Sequence, residues 1–449
     1  MGKLFGTDGI RGEANRYPMD GITAFQLGQA VTHVLKSERR SPRIIVGRDT
    51  RISGYMLENA FVAGVAAMGG TPYAVGVLPT PGVAFITRDV DADAGAVISA
   101  SHNPYQDNGI KFFSGAGFKL PDEQQEAIER LVLAGRLDEH VPPARQIGRG
   151  GHVENVIERY VEFLTHTFPR GLSIRGMKLV LDAANGAAGR VAPRVFAELG
   201  ADLEVIHNAP DGFNINENCG SQHPRHLEKC VKESGASMGL AFDGDADRLI
   251  AVDEKGRTLT GDQVLIICAR DMKERGQLKN NRVVSTVMSN IGLGIACRKC
   301  GLELHTSRVG DRYVLEEMQR LDAMVGGEDS GHMIFLNHHT TGDGILAALQ
   351  LVATVAREGR SLSELASVMD VFPQELINVE IRTKPLISSV PAVTEAIRAV
   401  EAELGDQGRV LVRYSGTQNV CRVMVEGPTA AVTRKFCTQI AEVVKRSLG

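Results

Sequence analysis

Asp243, Asp245 and Asp247 alternate with Gly244 and Ala246 in the segment DGDADR. Three carboxylates this close repel one another without a cation. They also leave coordination positions open on a hard divalent ion, which suits Mg2+ with a phosphate oxygen as a further ligand. A calcium EF-hand loop would place Asp at the same first, third and fifth positions and Glu at the twelfth, here Glu254. Arg248 stands where the turn of that loop needs glycine, and the flanks GLAF and LIAVDEKGRTL alternate as strands, so an EF-hand is excluded.

Three further segments carry reactive or ligand-binding residue types. In SASHNPYQDNGIK, Ser101 leaves an apolar strand, where a serine near open backbone amides can act as nucleophile or phosphorylated carrier. Lys111, ten residues on, offers a cation or a proton donor; alone, the two read as a turn serine and a surface lysine. In GGEDSGH, Glu328 and Ser330 point the same way off an extended backbone and suit the vicinal hydroxyls of a sugar, while His332 can move a proton. In RYSGTQNVCR, Arg413, Ser415 and Thr417 alternate around Gly416, and Arg422 adds a second positive charge. A guanidinium, two hydroxyls and accessible amides make a phosphate cradle, although a polar hairpin turn has the same composition. The opening FGTDGIRG carries Arg11 but follows no long strand, so it is no dinucleotide fingerprint. P-loop, nucleophile-elbow and zinc-protease motifs are absent.

The elements that must position these loops repeat. IIVGRDTRISG (44–54), LVLDAANGAAG (179–189) and VVSTVMSNIGLG (283–294) each read as a β-branched strand opening a helix. Each helix stops near glycine, at Gly69-Gly70, Gly200 and Gly301, and a second strand follows. A third strand then runs into one of the polar loops, at 95–104, 238–248 and 323–332. The pattern is βαβ with a parallel sheet, three times over, and loops at the carboxyl ends of such strands build a crevice. After about residue 367 the texture changes to strands mixed with two helices, a small α+β domain. The expected architecture is α/β. Three similar domains with mixed or parallel sheets, 1–152, 153–254 and 255–367, and a smaller α+β domain, 368–449, surround a central cleft.

Composition narrows the partners. A net charge of −4 gives no global basic field for nucleic acid or an anionic membrane, and the absence of tryptophan removes a base-stacking platform. No apolar run approaches the ~20 residues of a membrane span. Seven scattered cysteines and an opening without signal- or transit-peptide features predict the cytoplasm. Cys297 and Cys300 lack a second ligand pair for zinc and read as residues near a helix C-terminus. Glycine supplies 49 of 449 residues, above the usual ~7%, which predicts many tight backbone-lined loops.

SASHNP, DGDADR, GEDSGH and RYSGT, in this order and spanning the chain, resemble the α-D-phosphohexomutase superfamily. That resemblance implies that Ser101 carries a phosphoryl group and that one Mg2+ binds Asp243, Asp245, Asp247 and an oxygen of phosphorylated Ser101. The phosphoryl group would pass to a sugar monophosphate, and the 1,6-bisphosphate would turn end for end before returning its other phosphate. Glu328 and Ser330 would hold ring hydroxyls; Arg413, Ser415, Gly416 and Thr417 would hold the phosphate that is not reacting. Lys111 and His332 become acid/base candidates, and Arg11 and Arg248 line the charged cleft. FGTDGIRG, the GE-x-SGH loop and VGDRYV (309–314) are similar to bacterial members that interconvert glucosamine 6-phosphate and glucosamine 1-phosphate, feeding UDP-N-acetylglucosamine and cell-wall synthesis. Mannose and glucose phosphates are the alternative substrates within the superfamily. A hydrolase or a non-catalytic sugar-phosphate sensor are alternatives outside it, and a sensor has no need of a phosphoryl carrier. The resemblance also implies a homodimer. Three positions depart from the common pattern: Ala246 replaces glycine, Asp329 replaces glutamine, and Gln418-Asn419 replace Glu-Pro.

Overall fold

The computed structural model describes residues 4–6, 8–36, 41–415 and 419–449, and the chain divides into two compact units. The larger comprises residues 1–287 and 302–367, and the smaller residues 288–301 and 368–449.

Three sheets build the larger unit. The first contains β1 (Ile10–Glu13), β2 (Arg43–Arg48), β3 (Thr71–Val77), β4 (Ala94–Ile98) and β5 (Asp107–Ser114) in the order β1-β5-β4-β2-β3. The second contains β6 (Lys178–Asp182), β7 (Asp202–Ile206), β8 (Met238–Phe242), β9 (Leu249–Asp253) and β10 (Thr258–Leu259) in the order β10-β9-β8-β6-β7. The third contains β11 (Arg282–Thr286), β12 (Glu303–Ser307), β13 (Val325–Gly327) and β14 (Met333–Phe335) in the order β12-β11-β13-β14.

Each sheet repeats one plan. Three strands run parallel (β2–β4, β6–β8 and β11–β13), and the next strand returns antiparallel beside the last of them: β5 beside β4, β9 beside β8, β14 beside β13. The expected βαβ unit is therefore present, but the sheets are mixed, because the polar loop after each third strand is a hairpin turn. Residues 99–106, 243–248 and 328–332 are too few for a parallel crossover, which needs a dozen or more. A hairpin exposes its turn at the sheet edge, so reactive side chains gather there without disturbing the ladder. β4 and β8 are buried along their whole length, as central strands covered on both faces must be.

Helices hold the three sheets in one body. Helix Gly344–Glu358 is buried over most of its length, and Asp343 caps it by accepting from the amides of Ile345 and Leu346. The second hairpin is tied on both sides. Thr80 N–H donates to the Asp245 carbonyl at 2.9 Å, and Gly344 N–H donates to the Ala246 carbonyl at 2.9 Å.

In the smaller unit, β15 (Gln374–Glu380), β16 (Arg409–Tyr414) and β17 (Val420–Glu426) form an antiparallel sheet in the order β15-β17-β16. Cys421, Val423 and Val425 alternate toward one face and meet Val393 and Val400 of helix Pro391–Leu404 and Phe436 and Ile440 of helix Ala430–Leu448. Cys297 and Cys300 lie at the end of helix Ile291–Lys299, in keeping with a plain helical role.

Candidate active site

The three hairpins of the larger unit meet. Ser101 Oγ donates to Asp243 Oδ2 at 2.6 Å, although 142 residues separate them. Lys111, opposite Val97 in the β4/β5 ladder, donates to Asp245 Oδ2 at 3.1 Å and Asp247 Oδ2 at 3.4 Å. His332 Nδ1 stands 3.6 Å from Asp247 Oδ2, and its Nε2 3.7 Å from Asp311 Oδ2. Gly342 lies against this ring, and a Cβ there would fall 2.2 Å from His332 Nε2. Arg248 Nε is 4.0 Å from Asp243 Oδ2, and Arg11 pairs with Asp8 at 2.5 Å. A cavity of about 450 Å³ opens among Arg11, Asp247, Arg248, Glu328 and His332, a size suited to a small polar ligand.

The aspartates have the properties of a metal centre. One ligand atom from each of Asp243, Asp245 and Asp247 lies within 4.8 Å of the others, and all three side chains are buried. Asp245 Oδ1 and Asp247 Oδ1 are buried without a hydrogen-bond partner. Burial, then the charges of Asp247 and Asp245, push the Asp243 carboxyl well above the usual carboxylate range. Buried, unsatisfied and mutually repelling oxygens fit a hard cation, and the cluster can hold a metal ion. Ala246 sits between two of these ligands with φ +59°, a left-handed backbone that strains alanine by about 1–2 kcal/mol relative to glycine.

Charge is arranged in layers around the aspartate loop. Burial works against the ionised form of Asp247, but Lys111 and His332 outweigh it and hold that carboxyl well below its ordinary value. Lys111 is desolvated, yet Asp245, Asp8 and Asp247 raise its affinity for the proton, so it is a fixed cation at neutral pH. His332 is likewise buried, and Asp247, Asp311 and Glu328 raise it to about 9. His102 behaves oppositely: burial and the charges of Arg248 and Arg11 lower it to about 4, and its Nδ1 is 3.3 Å from Ser101 Oγ. Lys111 therefore serves as fixed charge, His332 holds a proton to give at neutral pH, and His102 has room to receive one.

Glu328 and Ser330 keep hydrogen-bonding capacity to spare. Glu328 Oε1 accepts from Gly310 N–H at 3.0 Å, and Ser330 Oγ is buried without a partner.

In the smaller unit Arg413 and Arg422 are direct cross-strand neighbours on β16 and β17. Like charges opposite one another are unfavourable in a sheet. Burial and Arg422 both lower the proton affinity of Arg413, and Arg422 Nε is buried without a partner. Lys384 Nζ donates to the Ser415 carbonyl at 2.9 Å, bringing a third cation to this edge. Such a surplus suits an anion. Gly416 and Thr417 lie outside the described residues.

Several contributors have only indirect sequence signals. Asp8 stands inside FGTDGIRG, His102 inside SASHNP and Asp311 inside VGDRYV, so each lies in a noted motif. Thr80, whose Oγ1 donates to Asp245 Oδ2 at 2.6 Å, and Lys384 carry no such signal; only the fold delivers them. A second mixed cluster is formed by Asp182, His207 and Cys219. Asp182 already accepts from the amides of Ala184 and Gly220 at 2.9 Å each, and burial and Asp182 push the Cys219 thiol up to about 12. That cluster braces its loops.

A buried serine hydroxyl against three convergent aspartates, beside a cavity lined by Arg11, Arg248 and His332, is an arrangement that can support phosphoryl transfer. Four family descriptions match in chain order. They are phosphoglucomutase/phosphomannomutase alpha/beta/alpha domains I (2–138), II (158–256) and III (260–372), and the C-terminal domain (376–443). The chain belongs to the phosphoglucomutase/phosphomannomutase family. Within that family it is 65% identical to the phosphoglucosamine mutase of Syntrophobacter fumaroxidans and 58% identical to that of Syntrophus aciditrophicus, over the full length of both chains in each case. Among solved structures, a phosphoglucomutase/phosphomannomutase family protein from Burkholderia thailandensis aligns with TM-score 0.81 at 23% identity, covering 100% of this chain and 98% of that one. The Aspergillus fumigatus N-acetylphosphoglucosamine mutase, in complex with GlcNAc-6P and magnesium, aligns with TM-score 0.71 at 18% identity, covering 100% and 96%. Both share the fold. No helix among the described residues is long and apolar enough to cross a membrane.

Proposed function

We propose that this chain interconverts glucosamine 6-phosphate and glucosamine 1-phosphate, through a phosphorylated Ser101 and a glucosamine 1,6-bisphosphate intermediate, in the cytoplasm. The observation that carries the proposal is Ser101 Oγ at 2.6 Å from the first of three convergent aspartates, in a chain whose full-length relatives bear the corresponding name. Asp243, Asp245, Asp247 and an oxygen on Ser101 would hold Mg2+, which when bound withdraws charge from the phosphoryl group.

Phosphoryl transfer needs positioning and charge stabilisation more than covalent assistance. Lys111, Arg11 and Arg248 supply fixed positive charge beside Ser101, and His332 is protonated at neutral pH and can donate. When the bisphosphate returns a phosphoryl group, the Ser101 hydroxyl must shed its proton, and unprotonated His102 is an acceptor within 3.3 Å. Glu328 and Ser330 would grip ring hydroxyls in both orientations of the intermediate. Arg413, Ser415, Gly416, Thr417 and Arg422 would hold the phosphate at rest. Each of the three α/β segments would thus supply one loop to the chemistry.

Glucose and mannose phosphates are a second reading, favoured by the family description matched to all four segments. Turnover on glucosamine, glucose and mannose phosphates decides between them. A clear preference for glucosamine phosphates is expected. Preference for either neutral sugar overturns the amino-sugar assignment and leaves the mutase reading intact.

A further inference from the structure

Ser101 has φ +54°, a left-handed conformation that serine rarely adopts. In this conformation its side chain meets Asp243, and two buried donors converge on the carbonyl of the turn. Arg51, 0% exposed, donates from Nη2 to the Ser101 carbonyl at 3.2 Å and to the Asn103 carbonyl at 2.5 Å. Asn216 donates from Nδ2 to the same two carbonyls at 2.9 and 3.0 Å. We propose that Arg51 and Asn216 are positioning residues that lock the Ser101 turn and thereby set the phosphoryl carrier against the metal loop.

The support around the two donors is itself specific. Asp49 pairs with the Arg51 guanidinium and accepts from the Arg51 amide at 2.9 Å, so the side chain has a fixed base. Ser99 Oγ accepts from the Ser101 amide at 2.9 Å, securing the other side of the turn. Gly244 of the metal loop lies against the same carbonyl: a Cβ there would fall 2.7 Å from the Ser101 oxygen and 2.9 Å from Asn216 Nδ2. Arg51 follows β2 and Asn216 follows β7, so the clamp spans the first and second sheets. It registers the serine hairpin on the aspartate hairpin. Strain at a functional residue persists only when its surroundings over-determine it, and four hydrogen bonds to the Ser101 and Asn103 carbonyls do so. Neither residue touches the cavity, so both act through Ser101.

This inference rests on the proposed phosphoserine chemistry but not on which sugar is the substrate. The test compares Arg51→Lys and Asn216→Gly with the unaltered chain. Asn216 itself has φ +59°, so glycine removes the amide without adding backbone strain. Lysine keeps a charge opposite Asp49 but cannot reach two carbonyls as a planar fork does. The expected result is a kcat lower by about 10- to 100-fold with KM within twofold, because misplacing a reacting group costs rate and leaves ligand binding elsewhere intact. The rate at which glucose 1,6-bisphosphate phosphorylates Ser101, followed by intact mass, should fall in parallel. Amide exchange should quicken at residues 99–104 with melting temperature nearly unchanged. Unaltered kcat and charging rate in a folded Asn216→Gly chain overturn the clamp, as does a loss matched by a rise in KM. An unaltered chain that charges Ser101 yet ignores glucosamine phosphates sinks only the substrate assignment. One that never charges Ser101 sinks both.

Discussion

Replacing Asp243 with asparagine should stabilise the metal-free protein and destabilise it relative to the unaltered chain once Mg2+ is present. Ligand oxygens of Asp245 and Asp247 lie no more than 4.8 Å away. At an effective dielectric constant near 20, each such pair of charges repels by ~3.5 kcal/mol, about 7 kcal/mol for the two. Arg248, 4.0 Å from Asp243, returns about 4 kcal/mol on the same scale. The hydrogen bond from Ser101 returns about 1 kcal/mol more, and Lys111 on Asp245 and Asp247 lowers the residue further. Between 1 and 2 kcal/mol of unrelieved repulsion remains, roughly, at a position where the asparagine oxygen can still accept from Arg248 N–H while its amide nitrogen donates to Ser101 Oγ. Urea unfolding followed by circular dichroism, in EDTA and in excess Mg2+, reads both halves of the prediction. In EDTA the Asp243→Asn chain should be the more stable by about that amount. With Mg2+ at about 100 times its Kd the unaltered chain should gain ~2.7 kcal/mol and the variant much less, reversing the order. A variant that is less stable in EDTA, or that gains as much from Mg2+, refutes the account of three carboxylates poised for a cation.

Gly244→Ala should lower turnover sharply and cost about 1–3 kcal/mol of stability, because its Cβ would lie 2.7 Å from both Ile215 Cδ1 and the Ser101 carbonyl; full activity in a stable variant contradicts the close packing of the two hairpins. Arg422→Gln should raise KM for sugar phosphates about tenfold through loss of a charge-assisted contact, while relief of the Arg413–Arg422 opposition leaves the fold intact in thermal melts; an unchanged KM removes Arg422 from phosphate binding. Asp343, buried against the Tyr160 hydroxyl, is raised to about 6, so it binds its proton more tightly folded than unfolded. Its contribution is complete below the unfolded value near 4 and is lost as pH rises through 6, by up to roughly 3 kcal/mol. The stability of Asp343→Asn relative to the unaltered chain should therefore climb between pH 4 and 7, and a flat difference in urea unfolding contradicts it.

Much of the site is legible in single segments because its residues are local to hairpin turns. Asp243, Asp245 and Asp247 need only their own loop to declare a cation site, and the repeated strand-helix-strand pattern indicates that Ser101 and Glu328 share their position in the fold. The antiparallel return strands are less legible. The direction of β5, β9 and β14 depends on the length of the turn before them, not on their residue types. Long-range partners are the least legible. Thr80 and Lys384 resemble any surface threonine or lysine until the fold carries them to Asp245 and Ser415. Arg51 and Asn216 belong to segments that read as an ordinary strand end and loop, and their meaning lies in a carbonyl 50 and 115 residues away. Ala246 shows the converse: its departure from glycine is visible in the sequence, but the strain at φ +59° is not.

The central claim is that Ser101 carries the phosphoryl group between the two positions of a hexosamine phosphate. Intact-mass and peptide-mapping analysis after treatment with glucose 1,6-bisphosphate, followed by addition of glucosamine 6-phosphate, tests it directly. The account predicts a gain of one phosphoryl group that maps to Ser101 and is discharged onto the added sugar, with glucosamine 1-phosphate accumulating. Phosphorylation elsewhere, or catalysis that survives Ser101→Ala, would contradict it.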